Sequence, residues 1–364
     1  MSIHKKQYYR FIEPMRFICS IFIMTHHCFI YLTNYNFLNH THVLVDFFFL
    51  LSGFVAGNAD EQKIVSGTTT FGGYARHRLL RLAPLMILGV AVGSVVLIMR
   101  HPHAGAAFTA QVVLFGVLNL LLLPKFWSAS GFPDYAVVSD PPLYTVLYQT
   151  AVTLFWARFL AGASTRWLVC LAIVLGIALG GVAHRNGGFN IGWGSSGAGW
   201  GYLRTGYDFV AGLVVFRFSR AILGRMPWHP AFAVLAVGTI LLIVFPPFSS
   251  LPWRLATFYV LPPAALILGL SAGDRRLVPG DVWLGRLSYA NYVVHTPILF
   301  FVALLIGSTS NLVVIALVAC LCVTVAALAM TCYDQPVSGW LRKRASLSLV
   351  ARPVSGEVKE TGAT

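Results

Sequence analysis

Long apolar runs, separated by short polar or Gly- and Pro-rich joints, are repeated along the whole chain. The most marked joints are NADEQK (58–63), GFPDYAVVSDPP (131–142) and NGGFNIGWGSSGAGWG (186–201). Apolar runs of this length are typical of membrane-spanning α-helices. The pattern therefore predicts an all-α, polytopic transmembrane bundle with eleven candidate segments, at approximately 12–33, 42–57, 82–100, 107–124, 143–161, 167–183, 201–219, 230–246, 254–271, 285–306 and 311–332.

Basic residues at the segment ends predict the topology. Three precede the first segment at 5–10 and three follow the last at 342–344, so the positive-inside rule places both termini in the cytoplasm. Termini on one side require an even number of crossings. If 107–124 is re-entrant or incomplete, ten helices remain, and the other arginine clusters also become cytoplasmic, namely those at 76–81, 158–166, 217–225 and 275–276.

The composition agrees with a membrane protein and excludes an ordinary soluble domain. Of the 364 residues, 57% are hydrophobic and 10% are charged, whereas about a quarter of a typical soluble domain is charged. The formal net charge of +14 comes from 26 Lys and Arg against 12 Asp and Glu. Positive charges at segment ends and anionic lipid headgroups account for this excess. We therefore expect membrane lipids, and no nucleic acid, as partners.

Cysteine placement and the C-terminal composition complete the domain prediction. All six cysteines lie inside or at the ends of apolar segments without a CxxC spacing. We expect buried thiols, no disulfide framework and no metal site. The stretch from Ala345 to Thr364 is polar and lacks aromatic residues, which predicts a disordered cytoplasmic tail. The prediction is one transmembrane domain over 1–344, followed by this tail over 345–364.

The first segment, EPMRFICSIFIMTHHCFIY (13–31), carries residues that are costly inside lipid. Arg16 and His27 are eleven residues apart, which on an α-helix means about 16 Å of rise and a residual rotation of about 20°. They therefore share one face, whereas His26 is turned about 100° away from His27. Ionisable residues in a membrane helix usually face the protein interior or a wet cavity. We expect Arg16 and His27 to form a functional site, with snorkelling of Arg16 to the interface as the alternative.

Two further stretches carry polar residues whose roles the sequence leaves open. In HVLVDFFFLLSGFVAG (42–57), Asp46 is either a functional intramembrane acid or a helix cap. Ser52, followed by a glycine, favours close helix packing over nucleophilic catalysis. In YARHRLLRLAPL (74–85), Arg78 and Arg81 share a helical face. They form either a positive-inside cluster or a clamp for phosphates, because guanidinium groups bind phosphate bidentately.

Four stretches, taken in order, resemble the acyltransferase 3 family of integral membrane acyltransferases. Arg16 followed by His27 resembles the family's R-x10-H, and VDFFFLLSGF (45–54) resembles V-D-x-F-F-x-L-S-G-F. RHRLLRLAP (76–84) resembles R-x-x-R-L-x-P. LGRLSYANYVVHTPIL (284–299) resembles the late L-G-x-x-S-Y-x-x-Y-x-x-H-x-P segment. The second and fourth stretches are the most specific.

The resemblance implies about ten transmembrane helices and transfer of an acyl group, usually acetyl from acetyl-CoA, to hydroxyls of lipid-linked or extracytoplasmic saccharides. It implies that Arg16 and His27 are an essential pair and that Arg78 and Arg81 bind the phosphates of CoA. No permanently bound cofactor is implied. The expected location is a bacterial inner membrane, with polysaccharide assembly machinery as a partner. The chain looks most like the shorter exopolysaccharide acetylases, such as those that decorate xanthan.

Two departures from the family pattern change this picture. Where the family commonly has W-S-L-x-x-E, the chain reads YTVLYQ (144–149), so that Gln149, which cannot act as a base, replaces the acid. We expect Gln149 to keep a structural hydrogen bond instead. Near the end, YDQPVSGWL (333–341) resembles Y-x-E-x-P with Asp334 in place of Glu. The polar loops 131–142 and 186–201 are expected to contact the acceptor.

The residues fit acyl transfer in more than one way. His27 would either deprotonate the acceptor hydroxyl or attack the thioester and carry the acyl group. His295 is either a second catalytic imidazole or a packing residue, and Tyr292 shares its face. One rival function is a glycolipid transporter or flippase, against which the lack of an internal repeat argues. The other is a catalytically silent member of a polysaccharide-export complex, which the Gln149 departure favours.

Overall fold

The fold is a bundle of long α-helices. A computed structural model describes residues 8–33, 35–225 and 228–350, and within these ranges it contains helices and turns but no strand. The predicted all-α bundle is therefore confirmed. The helices are α1 (Ile12–Thr33), α2 (His42–Ala56), α3 (Phe71–Arg100), α4 (Gly105–Leu120), α5 (Tyr144–Phe155), α6 (Thr165–Arg185), α7 (Ala198–Leu223), α8 (Ala231–Val244), α9 (Leu251–Tyr259), α10 (Leu261–Ser271), α11 (Asp281–Ile306), α12 (Leu312–Leu328) and α13 (Gln335–Val350).

Each of the eleven predicted segments coincides with one of these helices or a pair of them. Among the described residues, six helices are long and apolar enough to cross a membrane. A seventh span results if α9 and α10, which are bent by 41° at their joint, are counted together. Shorter apolar helices accompany them, so the number of ten crossings stays a prediction.

The segment predicted to be re-entrant forms the short helix α4. Its 16 residues correspond to about 24 Å, less than the hydrocarbon thickness of about 30 Å. It packs against α3 through a small cluster that contains Leu97, Val112 and Phe115. This length fits the incomplete crossing expected for 107–124.

Helix α3 begins well before the apolar run that predicted it. The side chain of Thr70 accepts a hydrogen bond from the backbone N–H of Gly73 at 3.2 Å, which caps the first turn. The cap places the helix start at Phe71, eleven residues ahead of the predicted segment start at 82. Arg78 and Arg81 therefore lie inside one continuous helix with the apolar run, as their predicted shared face requires.

Two helix pairs form the centre of the bundle: α1 runs along α11, and α2 runs along α7. In the second pair, a Cβ at Gly53 would overlap the backbone carbonyl of Phe209, and one at Gly212 would overlap that of Leu50. Small residues permit such close approach between membrane helices. The packing role expected for the Ser52–Gly53 pair is thus seen at the glycine.

The expectation of six buried thiols is wrong for three of them. All six cysteines are free, but Cys170, Cys320 and Cys332 lie on exposed helix faces. The physical reason is that a lipid-facing surface is as apolar as the protein core. An apolar segment therefore does not reveal which of its faces points inward.

At the C-terminus, helix α13 continues to Val350. The first residues of the tail expected to be disordered, 345–350, are therefore helical. The rest of that tail, 351–364, and the basic residues at positions 5 and 6 lie outside the described residues.

Candidate active site

Two histidines from different helices meet inside the bundle. His27 on α1 and His295 on α11 are joined by a hydrogen bond of 2.7 Å between His27 Nδ1 and His295 Nε2. The ring planes differ by 6° and the centroids are 5.1 Å apart, so the rings meet edge to edge. His295 is completely buried, whereas His27 is partly exposed. We call these two residues the histidine pair; helix packing brings them together although they are 268 positions apart.

Hydrogen-bond partners determine the tautomers of the histidine pair. His295 Nδ1 lies 2.8 Å from the backbone carbonyl of Asn291. A carbonyl can only accept, so His295 Nδ1 carries a proton. In the neutral ring, His295 Nε2 then accepts the hydrogen bond that His27 Nδ1 donates. The Nε2 atom of a neutral His27 is consequently left with a free lone pair, which can take a proton or act as a nucleophile.

The neighbouring histidine has a different environment. His26 Nδ1 lies 2.6 Å from the backbone carbonyl of Phe37, in the loop that follows α1. This contact holds the ring toward the loop and away from His295. The rotation between consecutive helical residues thus turns the Nδ1 atom of His26 to the loop, although the ring centroids of His26 and His27 are 5.6 Å apart.

Aromatic and hydroxyl side chains surround the histidine pair. Tyr31 lies one turn after His27, with ring centroids 5.8 Å apart, and the ring of Tyr292 lies 6.1 Å from that of His295. Tyr292 Oη donates to the carbonyl of Pro142 at 3.3 Å and lies 3.0 Å from the Thr145 hydroxyl. Tyr292 therefore connects α11 to the turn before α5. Within the described ranges, no group of three or more His, Cys, Asp or Glu side chains is placed to hold a metal ion.

The other end of α1 carries Arg16 in an ion pair. Arg16 Nη1 donates to Glu13 Oε2 at 2.8 Å, one turn earlier on the helix. The Glu13 carboxylate fits against Gly285 of α11, where any Cβ would overlap it. The glycine of the LGRLSY stretch thus makes room for the carboxylate that orients Arg16.

Arg78 and Arg81 approach Arg16 from helix α3. Arg81 lies within electrostatic range of Arg16, Arg78 and Glu13. Asp334, the acid of the closing pattern, also lies within range of Arg81. Arg81 is exposed and Arg78 is half-buried, and the Nε atom of Arg78 has no hydrogen-bond partner in the part of the chain that the structure describes. Three guanidinium groups against two carboxylates leave this arginine cluster with a net positive charge.

Asp46 lies in a buried ion pair and not in the histidine pair. Arg204 on α7 donates from Nε and Nη2 to the two Asp46 oxygens at 2.5 and 2.8 Å, and these side chains are 1% and 0% exposed. Arg204 also donates to the carbonyls of His42 and Ile191, and Asp208 lies one turn further along α7. Asp46 makes no capping bond at the start of α2. The cap alternative is therefore wrong, and Asp46 links α2 to α7.

Ser52 and Gln149 also lie apart from the histidine pair. The Ser52 hydroxyl donates to the carbonyl of Phe49 at 2.8 Å within its own helix. The side chain of Gln149 forms no hydrogen bond with any described residue, and only its backbone carbonyl accepts one, from Thr153. The structural bond expected for Gln149 is thus not found. Because Gln149 is partly exposed, its amide does not require a protein partner.

The two polar loops expected to contact the acceptor are bound to each other. Asp134 accepts hydrogen bonds from the hydroxyls of Ser195 and Ser196. The Ala136 N–H donates to the carbonyl of Trp193 at 2.9 Å. The hydrogen bonds that the Asp134 side chain accepts, above all the one from the Ser195 hydroxyl, lower the pKa of its carboxyl group. Asp134 is therefore held as a carboxylate. The loops form one continuous lining at this end of the bundle.

The sequence patterns did not reveal several buried or paired charged residues, four of which lie nearest to the features described above. Arg204 and Asp208 lie within an apolar segment in LRTGYD, and charged residues inside such a segment are themselves a signal of function or pairing. Glu13 stands three residues before Arg16, at ion-pair spacing on a helix. Asp140 ends a polar loop, where nothing local indicates that it is completely buried.

Comparison with known proteins gives the family of the chain. The chain matches the acyltransferase 3 family profile, described as an acyltransferase domain, over residues 9–332, which include all four stretches that resemble the family. It is also similar to "Protein 2 in picA locus" of Rhizobium radiobacter, with 30% identity over 148 residues that cover 38% of this chain and 76% of that relative. No solved structure matches significantly. The chain therefore belongs to the acyltransferase 3 family and is an integral membrane acyltransferase.

Proposed function

We propose that this acyltransferase moves an acetyl group from cytoplasmic acetyl-CoA to a hydroxyl of a lipid-linked or exported saccharide. The observation that carries the proposal is the histidine pair: His27 is partly exposed, and its Nε2 has no hydrogen-bond partner among the described residues. Acyl transfer to a hydroxyl needs a group that can take its proton near pH 7, and imidazole has that property.

The arginine cluster supports CoA as the donor. CoA carries a pyrophosphate and a further phosphate, and arginine binds such groups bidentately. The cluster lies at the end of the bundle that we assign to the cytoplasm, and its charge is only partly neutralised. An open cavity of about 410 Å³ near the start of α11 also has a net positive lining, with Arg10, Arg276 and Arg286 against the single acid Asp281, which pairs with Arg10. Both features suit an anionic nucleotide.

In one chemical route, His27 acts as a general base. Nε2 takes the proton of the acceptor hydroxyl while the oxygen of that hydroxyl attacks the thioester carbonyl carbon. The C–S bond breaks, the acetyl ester forms, and the CoA thiolate takes the proton from His27 Nε2. His295 keeps the hydrogen bond to Nδ1 throughout, so it stabilises the imidazolium and acts as a positioning residue.

In the second route, the same nitrogen carries the acyl group. Nε2 attacks the thioester, the C–S bond breaks, and an acetyl-imidazolium forms as CoA leaves as the thiolate. The acceptor hydroxyl then attacks the acetyl carbon, the bond between that carbon and Nε2 breaks, the hydroxyl proton passes to solvent, and neutral His27 is restored. In this route CoA can remain on the cytoplasmic side while only the acetyl group moves on.

Labelled donor tests the proposed function directly. Membranes containing the full chain are given acetyl-CoA labelled in the acetyl group, together with host surface polysaccharide stripped of O-acetyl groups by mild alkali. We expect label in alkali-labile esters on the polysaccharide, and none from membranes without the chain. Absence of glycan label would contradict the saccharide acceptor, and equal transfer from palmitoyl-CoA would contradict the preference for acetyl.

Removing the paired guanidiniums should weaken donor binding. We expect Arg78→Ala with Arg81→Ala to raise the KM for acetyl-CoA by about tenfold or more, since each charged hydrogen bond contributes about 1.5–3 kcal/mol. The KM for the polysaccharide should stay within about twofold. Arg158→Ala with Arg166→Ala removes two exposed arginines elsewhere and is the charge-matched control. If the KM for acetyl-CoA is unchanged in the variant that lacks Arg78 and Arg81, these arginines serve only as a positive-inside cluster that sets the topology.

A further inference from the structure

Asp140 is a buried acid that the chemistry above does not use. Its side chain is 0% exposed, and neither carboxyl oxygen has a hydrogen-bond partner among the described residues. Three other buried carboxylates are partnered by arginine, in the pairs Asp46–Arg204, Glu61–Arg217 and Asp281–Arg10. A fourth buried acid, Asp208, has one unpartnered oxygen among the described residues but lies beside the first of these pairs. A buried carboxyl without a partner is costly and calls for an explanation.

Small residues on α3 hold the Asp140 segment deep in the bundle. A Cβ at Gly93 would overlap the backbone carbonyl of Ser139, so the non-helical chain touches the helix there. The hydroxyls of Ser94 and Ser139 are 2.8 Å apart and form a hydrogen bond. A Cβ at Gly89 would lie 2.9 Å from Asp140 Oδ2. The contacts of Ser139 with Gly93 and Ser94 therefore position the Asp140 carboxyl beside Gly89, one helical turn earlier on α3.

A backbone carbonyl that lacks its usual helical donor lies beside this carboxyl. Pro297 has no N–H, so the carbonyl of Val293 cannot receive the helical hydrogen bond that residue 297 would otherwise donate. That carbonyl oxygen lies 3.2 Å from the Cβ position over Gly89, and the Cγ1 methyl of Val293 lies 2.9 Å from it. The two acceptors thus border one narrow place, and the structure shows no donor for the Asp140 oxygens within the described residues.

This place borders the histidine pair. Asp140 lies within electrostatic range of Tyr31, Tyr289 and Tyr292. Tyr31 is the neighbour of His27, and Tyr292 is that of His295. The carboxyl therefore lies near the two phenols that flank the histidine pair, and it belongs to one of the two joined polar loops.

We propose that Asp140, with the Val293 carbonyl, forms the subsite that binds the acceptor through its hydroxyl groups. Acceptors of hydrogen bonds require a ligand that brings donors, and the acetyl thioester has no N–H or O–H at its reacting end. A saccharide brings several hydroxyls, and phenol rings supply apolar faces for its C–H surface. Asp140 then holds one hydroxyl while His27 Nε2 reaches another. This subsite rests on the proposed saccharide acceptor, and it would select that acceptor by its hydroxyl groups.

The test compares acceptor and donor constants in Asp140→Asn. The change keeps the shape, but it puts an N–H₂ donor beside the Val293 carbonyl and removes acceptors from the ligand. We expect the KM for the de-acetylated polysaccharide to rise by about 10- to 100-fold, the usual effect of leaving a buried hydrogen-bonding group unsatisfied. The KM for acetyl-CoA should stay within about twofold. Asp274→Asn, which changes an exposed acid, is the matched control.

A second variant keeps the carboxyl and moves it. Gly89→Ala adds a methyl group that presses on Asp140 Oδ2, and it should raise the acceptor KM in the same direction. All KM values are measured on monodisperse, folded protein. A lower folded yield with an unchanged acceptor KM, or a rise confined to the acetyl-CoA KM, would overturn the subsite. If the unaltered protein acetylates no polysaccharide, the proposed function fails and this inference fails with it; an unchanged acceptor KM in an active Asp140→Asn variant defeats the inference alone.

Discussion

His27→Ala is expected to abolish acetyl transfer while leaving the protein folded in the membrane. Removing the imidazole removes the free Nε2, and loss of a general base alone reduces kcat by about 10²- to 10⁴-fold. If His27 carries the acetyl group, no turnover remains. His27 is partly exposed, so its truncation leaves a smaller packing defect than truncation of a core residue. The measurement is label transferred per folded molecule under saturating donor and acceptor.

The adjacent histidine supplies the control for this prediction. His26→Ala removes the same side chain one position earlier, where the ring contacts only the carbonyl of Phe37 among the hydrogen bonds observed in the described chain. Its activity should stay within about twofold of the unaltered protein. Full activity in a well-folded His27→Ala variant, or equal losses in both variants, would contradict the assignment of the reactive nitrogen to His27.

Asp46→Leu is expected to destabilise the fold by about 3–5 kcal/mol, because it removes the ion-pair partner of a buried arginine and leaves only Asp208 as a nearby acid. Arg204 is 1% exposed and donates two hydrogen bonds to Asp46. We expect a lower thermal midpoint and a lower yield of monodisperse protein in detergent. Replacing both residues, with Asp46→Leu and Arg204→Met, should cost less than the sum of the single changes, because no unpaired arginine then remains.

An exposed ion pair serves as the reference for this effect. Asp60 and Lys63 are 3.6 Å apart on the surface, with side chains 30% and 56% exposed. Asp60→Ala should therefore cost less than about 1 kcal/mol. If Asp46→Leu left the thermal midpoint unchanged and removed activity from folded protein, Asp46 would belong to the chemistry, and the structural role described above would be wrong.

The helices could be predicted well from the sequence, because the bilayer imposes a length on each apolar run. Every one of the eleven segments corresponds to helix, and the main errors are at their ends, as in α3, where a threonine cap starts the helix before the apolar run. The inward face of a helix could not be read in the same way. Lipid and core are equally apolar, so Cys170 and Cys322 look alike in sequence although only Cys322 is buried.

The sequence predicted those features of the candidate site that depend only on the local geometry of one helix. The shared face of Arg16 and His27, the rotation of His26 and the shared face of Arg78 and Arg81 all follow from 3.6 residues per turn. Gln149 shows the limit of this approach. A family pattern suggested a hydrogen bond for its side chain, but a bond needs a partner from another part of the chain.

By itself, the sequence determined the all-α class, the helical segments, the family and the residues of α1 that are costly in lipid, since each of these follows from composition or helical spacing. Only the tertiary structure decided that His295 binds His27 and frees its Nε2, that Arg204 neutralises Asp46, and that Asp140 is buried with no hydrogen-bond partner in the described part of the chain. These facts depend on contacts between residues far apart in the chain. Such contacts are set by how whole helices pack, and no local pattern encodes them.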